Sequence, residues 1–474
     1  MRALITVLAV GLASAVTAAE PPAWPQFRGP AGSGVAALGA KPPTRIGPDT
    51  NVKWNVAVPP GASSPVIAGD RLFLTGFEEG KLFTLAYRRA DGALLWRKEA
   101  PAAKIEPFEK SAGSPAASTP ATDGERLVVY FGSCGLVCYD LAGKELWRYE
   151  LPPGKTQNGF GTGTSPVLAD GRVILLRDLE QAGRLLCLDL ATGARVWEAD
   201  RAGYKTSWGS PCVWDTPAGK QVVVAGGLRL KGYDLKTGAD LWTVTGLPSY
   251  PCTTPVVADG RLVYAGWSYG GESDFKSMMP SFDDLLKEAG DEPLGHLTRA
   301  GSEKTQLKGY FDDYDSNKDG KITRDEWNAP VEYQASGRNV AFALTAGGTG
   351  DVTRTRVAWR VTRGLPYIAS PLVYQGLMYT VSKEGRLSAF EVKTGKEVYV
   401  GKQVGLGQVH ASPVAAGGYL YLCSLNESVV VVRAGTVPAK VSSARLDDRI
   451  VATPAVAGNT LYVRTGKSLY AFAE

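Results

Sequence analysis

The chain has 474 residues, 44% hydrophobic and 21% charged, with a formal net charge of +5. These proportions describe a folded globular protein and exclude a disordered, collagen-like or membrane-embedded chain. The 56 glycines and 30 prolines call for a fold of many tight turns, and two histidines make a His-rich metal cage or a His-dependent mechanism hard to build.

In chain order, the N-terminus reads first as an export signal. Arg2 gives a positive start, an apolar stretch runs from Ala3 to Val16, and Ala13-Ser14-Ala15 or Thr17-Ala18-Ala19 offers a small-residue cleavage site. The expected signal peptide covers residues 1–19, too short to span a bilayer, and no later segment has the length of a membrane helix. No twin Arg and no lipid-accepting Cys stand near it, so a soluble periplasmic or secreted protein is expected. Residues 20–50, rich in Pro, Gly and Ala, should form an irregular arm.

Beyond residue 51 a repeat takes over. A Ser-Pro or Thr-Pro pair opens a run of alternating apolar residues eight times: Ser64-Pro65, Thr119-Pro120, Ser165-Pro166, Ser210-Pro211, Thr254-Pro255, Ser370-Pro371, Ser412-Pro413 and Thr453-Pro454. Most neighbouring prolines are 41 to 46 residues apart, with one gap of 55 and one of 116. A period in the forties is what four short strands and their turns consume, so the pattern predicts an all-β, eight-bladed propeller over residues 51–474. Each unit continues with a turn such as Ala169-Asp170-Gly171, then strands, then a Gly turn with an aromatic four residues later. These pairs are Gly92 and Trp96, Gly143 and Trp147, Gly193 and Trp197, Gly238 and Trp242, Gly395 and Tyr399. The regular Trp is expected to dock one blade onto the next. The last unit lacks its fourth strand, so the segment around Trp54 should close blade eight and hide the open sheet edges.

The long gap in blade five holds a segment of different composition, residues 268–337, with a helical pattern and 15 acids against 8 bases. Within it, residues 315–326 (DSNKDGKITRDE) match the EF-hand loop. Asp315, Asn317 and Asp319 supply side-chain oxygens, and Gly320 permits the sharp turn. Lys321 offers its carbonyl, Thr323 would act through water, and Glu326 can close the shell with two oxygens. That donor set suits Ca²⁺. Phe311 and Tyr314 give the entering helix an apolar side, Pro330 should shorten or kink the exiting one, and no second intact loop is visible. A lone hand of modest affinity, about 10⁻⁴–10⁻³ M, is therefore expected.

Six cysteines show no CxxC spacing. Cys138 and Cys187 read as buried packing residues, while Cys134 with Cys138, or Cys212 with Cys252, could pair; the sequence does not choose. Residues just before each Ser/Thr-Pro should line one channel mouth. Trp208, Cys252, Ile368 and His410 are the larger ones there, with Tyr250 and Tyr367 beside them. Trp208, Tyr250, Tyr367 and His410 are thus the candidate small-ligand residues.

The repeats resemble the PQQ-like β-propeller family, which includes the quinoproteins and the BamB-like propellers. The resemblance covers residues 51–474 and rests on the Ser/Thr-Pro starts and the D-x-x-T-G-x-x-x-W ends, clearest at Asp189–Trp197 and Asp234–Trp242. The opening WPQFRGPAGSG (Trp24–Gly34) is similar to the start of exported bacterial members. WD40 propellers are the rival, but no Gly-His or Trp-Asp signature recurs. The resemblance implies a PQQ-dependent dehydrogenase as the enzyme to test. Such enzymes typically use a vicinal Cys-Cys disulfide, a Trp under the quinone, a Ca²⁺ on Glu and Asn, and a catalytic Asp. No two Cys are adjacent here and the other elements find no matching motif, so PQQ is not expected and no catalytic residue is assigned.

The sequence thus predicts an exported, monomeric, calcium-binding propeller acting as a non-catalytic scaffold of the cell envelope. The alternatives are a PQQ-dependent quinoprotein oxidoreductase and a polysaccharide-binding propeller. The propeller body carries +11 once the signal is removed and the acidic insertion set aside, which favours an envelope protein or anionic polymer as partner. Nucleic acid is not expected for an exported chain.

Overall fold

The computed structural model describes residues 23–110, 113–272 and 274–474. The expected signal peptide lies outside them. Eight antiparallel sheets follow one another along the chain, each beginning with a short strand after a Ser/Thr-Pro pair. Blade three shows the plan: Val167–Ala169, Arg172–Arg177, Arg184–Asp189 and Arg195–Asp200, paired in sequence order. Blade eight is made from both ends of the chain. Its strands Ala455–Ala457, Thr460–Arg464 and Ser468–Phe472 are completed by Val52–Ala57, with Trp54 opposite Ala471. The ring is closed as the sequence predicted.

The reason for a hydroxyl residue before every proline is now visible. The backbone N–H of each Ser or Thr donates to the side-chain oxygen of its counterpart in the next blade. Starting from Ser64→Thr119 at 2.9 Å, the chain of bonds runs through Ser165, Ser210, Thr254, Ser370, Ser412 and Thr453, and returns to Ser64 at 3.1 Å. Proline holds the preceding residue extended and has no N–H to compete. Eight blades are thereby tied by one circular hydrogen-bond chain at the channel. Removing one hydroxyl leaves a buried N–H without an acceptor, which costs about 1–3 kcal/mol. Ser210→Ala is expected to lower the denaturation midpoint by that amount, whereas Ser210→Thr, which keeps the hydroxyl, should cost less than about 1 kcal/mol.

At the outer edge the Trp residues dock between blades. Trp147 Nε1 donates to Leu190 O at 2.9 Å and Trp197 Nε1 to Leu235 O at 2.9 Å, each carbonyl belonging to the following blade. Trp54, Trp96 and Trp359 repeat this geometry. Each indole lies over the turn glycine of the next blade. A Cβ on Gly238 (φ +74°) would sit 2.6 Å from the Trp197 ring, so the turn needs glycine both for its conformation and for the close approach. Trp242 departs from the rule. Its Nε1 bonds Gln221 Oε1 at 2.7 Å, and its strand is bordered instead by Gly350–Asp351 of blade five, in parallel.

The N-terminal arm is ordered against the propeller. Trp24 is fully buried and bridges Ile67 of blade one, Thr122 of blade two donates to Pro25 O, and Val35 bridges Ala415 of blade seven. These contacts lie along the inner strands of blades one, two and seven, past the Ser/Thr-Pro starts, and Phe27 of the arm lines the axial cavity, so the arm covers that end of the channel. All six cysteines are free; Cys138 and Cys187 are buried in the core. No helix among the described residues is long and apolar enough to cross a membrane.

Candidate functional site

Two features stand at the open end of the channel: a cavity and the inserted helices. The insertion leaves blade five after Arg261–Gly266 and returns at Val340–Thr345. It contains α1 (Phe275–Met278), α2 (Phe282–Ala289), α3 (Arg299–Ser302), α4 (Phe311–Tyr314) and α5 (Arg324–Ala335), around a core of its own that includes Phe282, Leu285, Phe311, Ile322 and Trp327. Tyr314 stacks on Trp327 with ring centres 5.4 Å apart.

The loop from Asp315 to Glu326 joins α4 to α5 and is folded by its own polar side chains. Asp315 Oδ1 and Oδ2 accept from the N–H groups of Asp319 (3.1 Å) and Gly320 (3.0 Å), and Asn317 Oδ1 also accepts from Asp319 N–H at 2.8 Å. Lys318 (φ +61°) and Gly320 (φ +82°) make the turn. Glu326 is shared between two tasks. Its Oε2 accepts from Thr323 N and Oγ1, both at 2.9 Å, in a capping box that starts α5; its Oε1 accepts from Ser316 N (3.0 Å) and Asn317 N (3.3 Å). Burial pushes this carboxyl up, but the Thr323, Ser316 and Asn317 bonds outweigh it and hold the pKa at about 2. Glu326 is therefore ionised at neutral pH, as a cation ligand must be. The loop's side-chain donors are all oxygen, the chemistry Ca²⁺ takes; among the described residues no three His, Cys, Asp or Glu side chains converge on one metal-sized site.

The insertion corrects two expectations. The loop is not solitary: Leu297–Thr298 pairs antiparallel with Lys321–Ile322, placing Leu297 opposite Ile322. A second helix–loop–helix, α2 to α3, thus backs the first. Its loop lacks the ligand residues; Asp291 accepts from Thr298 N and Oγ1 (2.7 and 2.9 Å), and Gly301 stands where Glu326 stands. A signal was present in the triplets Leu297-Thr298-Arg299 and Ile322-Thr323-Arg324, whose threonines cap α3 and α5. Nor does Pro330 end the exiting helix, since α5 runs twelve residues, on to Ala335.

The insertion is latched to the mouth from two sides. Lys155 Nζ pairs with Asp313 at 2.9 Å and donates to Asp312 O at 3.1 Å. On the other side Tyr333 Oη donates to Ser249 O at 3.0 Å, and its ring meets Tyr250 edge-on at 5.5 Å. Gly227 makes room for that hydroxyl: a Cβ there would lie 1.9 Å from it. Trp208 joins the two latched segments, its N–H donating to Pro251 O (3.0 Å) and its Nε1 to Gly161 O (2.8 Å).

The channel cavity has a volume of about 550 Å³. All eight ring hydroxyls line it, together with Trp208, Cys252, Tyr367, Ile368 and His410. Tyr250 does not; it is buried against Tyr333 instead. Residues that sequence reasoning did not single out complete the site: Phe27 of the arm at the closed end, and Tyr269 and Lys383 at the mouth. Trp267, Tyr269 and Tyr367 form an edge-on aromatic trio with centres 4.8 to 5.7 Å apart. His410 has no hydrogen-bond partner among the described residues. Burial first, then the charges of Arg449 and Lys383, press its pKa down to about 4, so it is neutral at pH 7.

Beneath the rim, Thr162 donates to Glu106 Oε1 at 2.8 Å, while Glu106 Oε2 is buried without a partner. Burial raises this carboxyl to about 7, against the hydrogen bonds from Thr162 and the charge of Arg177. A carboxyl raised in the folded state binds more protons there than when unfolded, so its contribution to stability falls as pH rises from about 4.5 to 7. Glu106→Gln removes that loss. The variant should be more stable than the parent at pH 8, by an amount on the order of 3 kcal/mol, and lose the advantage at pH 4.5. Urea denaturation at the two pH values reads the difference.

The closed ring of eight sheets, seven four-stranded and one with a fifth strand, around an axial cavity is that of an eight-bladed β-propeller. The family model described as "Outer membrane protein assembly factor BamB" matches residues 83–271 and 313–474, and the chain belongs to that family. No curated protein matches the sequence. Among solved structures, BamB from Moraxella catarrhalis is 15% identical, covering 89% of this chain and 98% of its own, with a TM-score of 0.53. A europium-containing methanol dehydrogenase is 11% identical, covering 96% and 98%, with a TM-score of 0.57. The computationally designed protein Ika8 is 8% identical, covering 90% and 100%, with a TM-score of 0.53. At these identities the likeness is one of fold.

Proposed function

We propose that this chain is an exported, calcium-binding and non-catalytic propeller scaffold of the cell envelope, with a protein or an anionic polymer as its partner. The observation that carries the reading is the double latch of the insertion onto the channel mouth. Asp312 and Asp313 lie immediately before the calcium loop, and Tyr333 is on the helix that leaves it. Ca²⁺ held by Asp315, Asn317, Asp319, the Lys321 carbonyl and Glu326 would fix α4 relative to α5, and through them the rim segments that carry Lys155 and Ser249–Tyr250. A rim ordered in this way presents one firm surface of the ring to a macromolecule. The net positive propeller body would draw an acidic partner toward it through its long-range field. The family match and the BamB likeness agree with a protein-binding scaffold.

The second reading is a PQQ-dependent oxidoreductase, favoured by the methanol dehydrogenase likeness and by an axial cavity of ligand size. Turnover separates the two. The purified chain, supplied with PQQ and Ca²⁺, is assayed for reduction of an electron-accepting dye by primary alcohols and aldoses. No rate above the protein-free blank is expected. A saturable rate that disappears without PQQ would replace the scaffold with the enzyme.

A further inference from the structure

A second cleft, of about 300 Å³, lies outside the channel, between the neck of the insertion and blade six. It shares no lining residue with the axial cavity. The aromatic trio stands between the two spaces: Tyr269 and Tyr367 face the channel, and Trp267 lines the cleft. On the neck side, Glu272 Oε1 accepts from Trp267 Nε1 (2.5 Å) and from Asn339 Nδ2 (3.0 Å). Asn339 Oδ1 in turn accepts from Ser268 N–H at 2.9 Å, so the outgoing and returning stems of the insertion are tied together. On the opposite side is the turn Ser382–Arg386 of blade six. There Ser382 Oγ donates to Glu384 Oε2 (2.8 Å), and Arg386 Nη1 donates to Gly401 O (3.3 Å). These bonds hold each group in place but leave capacity over. Glu272 Oε2, Glu384 Oε1 and the rest of the Arg386 guanidinium have no partner among the described residues. Two carboxylates and a guanidinium thus line one cleft without pairing with each other.

A ligand for this cleft must satisfy free acceptors and free donors at once. It must also offer an apolar face to the Trp267 indole and to Leu365 and Val400, which share the lining. Two carboxylates against one guanidinium disfavour an anion. A neutral sugar ring meets these demands, because each of its hydroxyls both donates and accepts while its C–H face is apolar. Hydrogen bonds from such hydroxyls to charged side chains are the stronger kind. From this lining we infer that the cleft between the insertion neck and blade six binds a neutral saccharide, as one unit of a glycan chain. A volume of about 300 Å³ stands at the lower end of small-molecule sites, which suits a single ring with the rest of the chain in solvent. The site is separate from the calcium loop and from the channel, so it stands whether or not either of those is occupied.

The test presents the full chain with neutral trisaccharides (maltotriose, cellotriose, xylotriose, mannotriose and triacetylchitotriose) and with the zwitterion glycylglycine. Saturation-transfer NMR and calorimetry read the binding. At least one trisaccharide is expected to fill a single site with a Kd on the order of 10⁻³ M. Its affinity should not change between about 50 and about 500 mM NaCl, since the ligand carries no charge. Arg386→Met should weaken it at least about tenfold and Glu384→Gln about threefold, both at exposed positions that the core does not use. If Arg386→Met does not fold, Glu384→Gln decides. No trisaccharide bound up to about 50 mM, parental affinity in Arg386→Met, or binding of glycylglycine alone would overturn the inference.

Discussion

Glu326→Gln is expected to weaken Ca²⁺ binding at least about a hundredfold while leaving the fold intact. In the proposed site the position-twelve carboxylate would supply two oxygens, and glutamine could offer only one neutral oxygen in its place. Gln also keeps the capping box, because its side-chain oxygen can still accept from Thr323 N and Oγ1. Glu326→Ala removes both the ligand and the cap, so its calcium-free form should be less stable than that of Glu326→Gln, by about 1 kcal/mol. Calorimetric titration with Ca²⁺ together with thermal unfolding of the metal-free forms separates the two effects. A Gln variant that binds Ca²⁺ like the parent would show that the metal, if bound, is held elsewhere. The partner loop does not rescue the variant, since Gly301 stands where a second Glu would be needed.

The second large effect belongs to the blade joints. Trp197 is 8% exposed, donates to Leu235 O, and covers Gly238 of the next blade. Trp197→Ala deletes the whole indole from a site that cannot collapse, because both flanking sheets are fixed in the ring. A loss of about 3–5 kcal/mol is expected from the denaturation midpoint. Gly238→Ala attacks the same joint from the other side and should cost about 1–3 kcal/mol through its left-handed turn and the 2.6 Å approach to the ring. Val196→Ala, on the exposed neighbour of Trp197, should stay within about 0.5 kcal/mol. If Trp197→Ala were as mild as Val196→Ala, the indole would be surface decoration and not a joint.

Much of this architecture was legible because it is periodic. The Ser/Thr-Pro starts, the Gly–Trp spacing and the missing last strand predicted eight blades and their closure by the segment around Trp54. Local spacing also marked the candidate calcium loop, whose expected ligands lie within twelve residues. What stayed hidden depends on contacts distant in sequence. The bonds of the hydroxyl ring join residues 41 to 389 positions apart, so the repeat marked where blades begin without showing what the hydroxyls do. Tyr250 looked like a channel residue, but Tyr333 of the insertion covers it, and that partner lies far along the chain. The second helix–loop–helix escaped because a search by expected ligands is silent where Gly301 stands at the position of Glu326. Its structural residues, Leu297 and Thr298, were there to be compared with Ile322 and Thr323. The arm was read as irregular, which it is in backbone pattern. Its buried Trp24 and Arg28 nevertheless fasten it to the inner strands, and its Phe27 lines the channel cavity.

Calcium is proposed to act on the rim of the mouth and not only within its own loop. Amide hydrogen exchange of the full chain with and without Ca²⁺ tests this most directly. The expected result is added protection in residues 311–335 together with residues 152–163 and 247–252, the two latched segments, with the arm's side of the ring unchanged. Protection confined to the loop, or no change at all, would contradict a calcium-ordered rim.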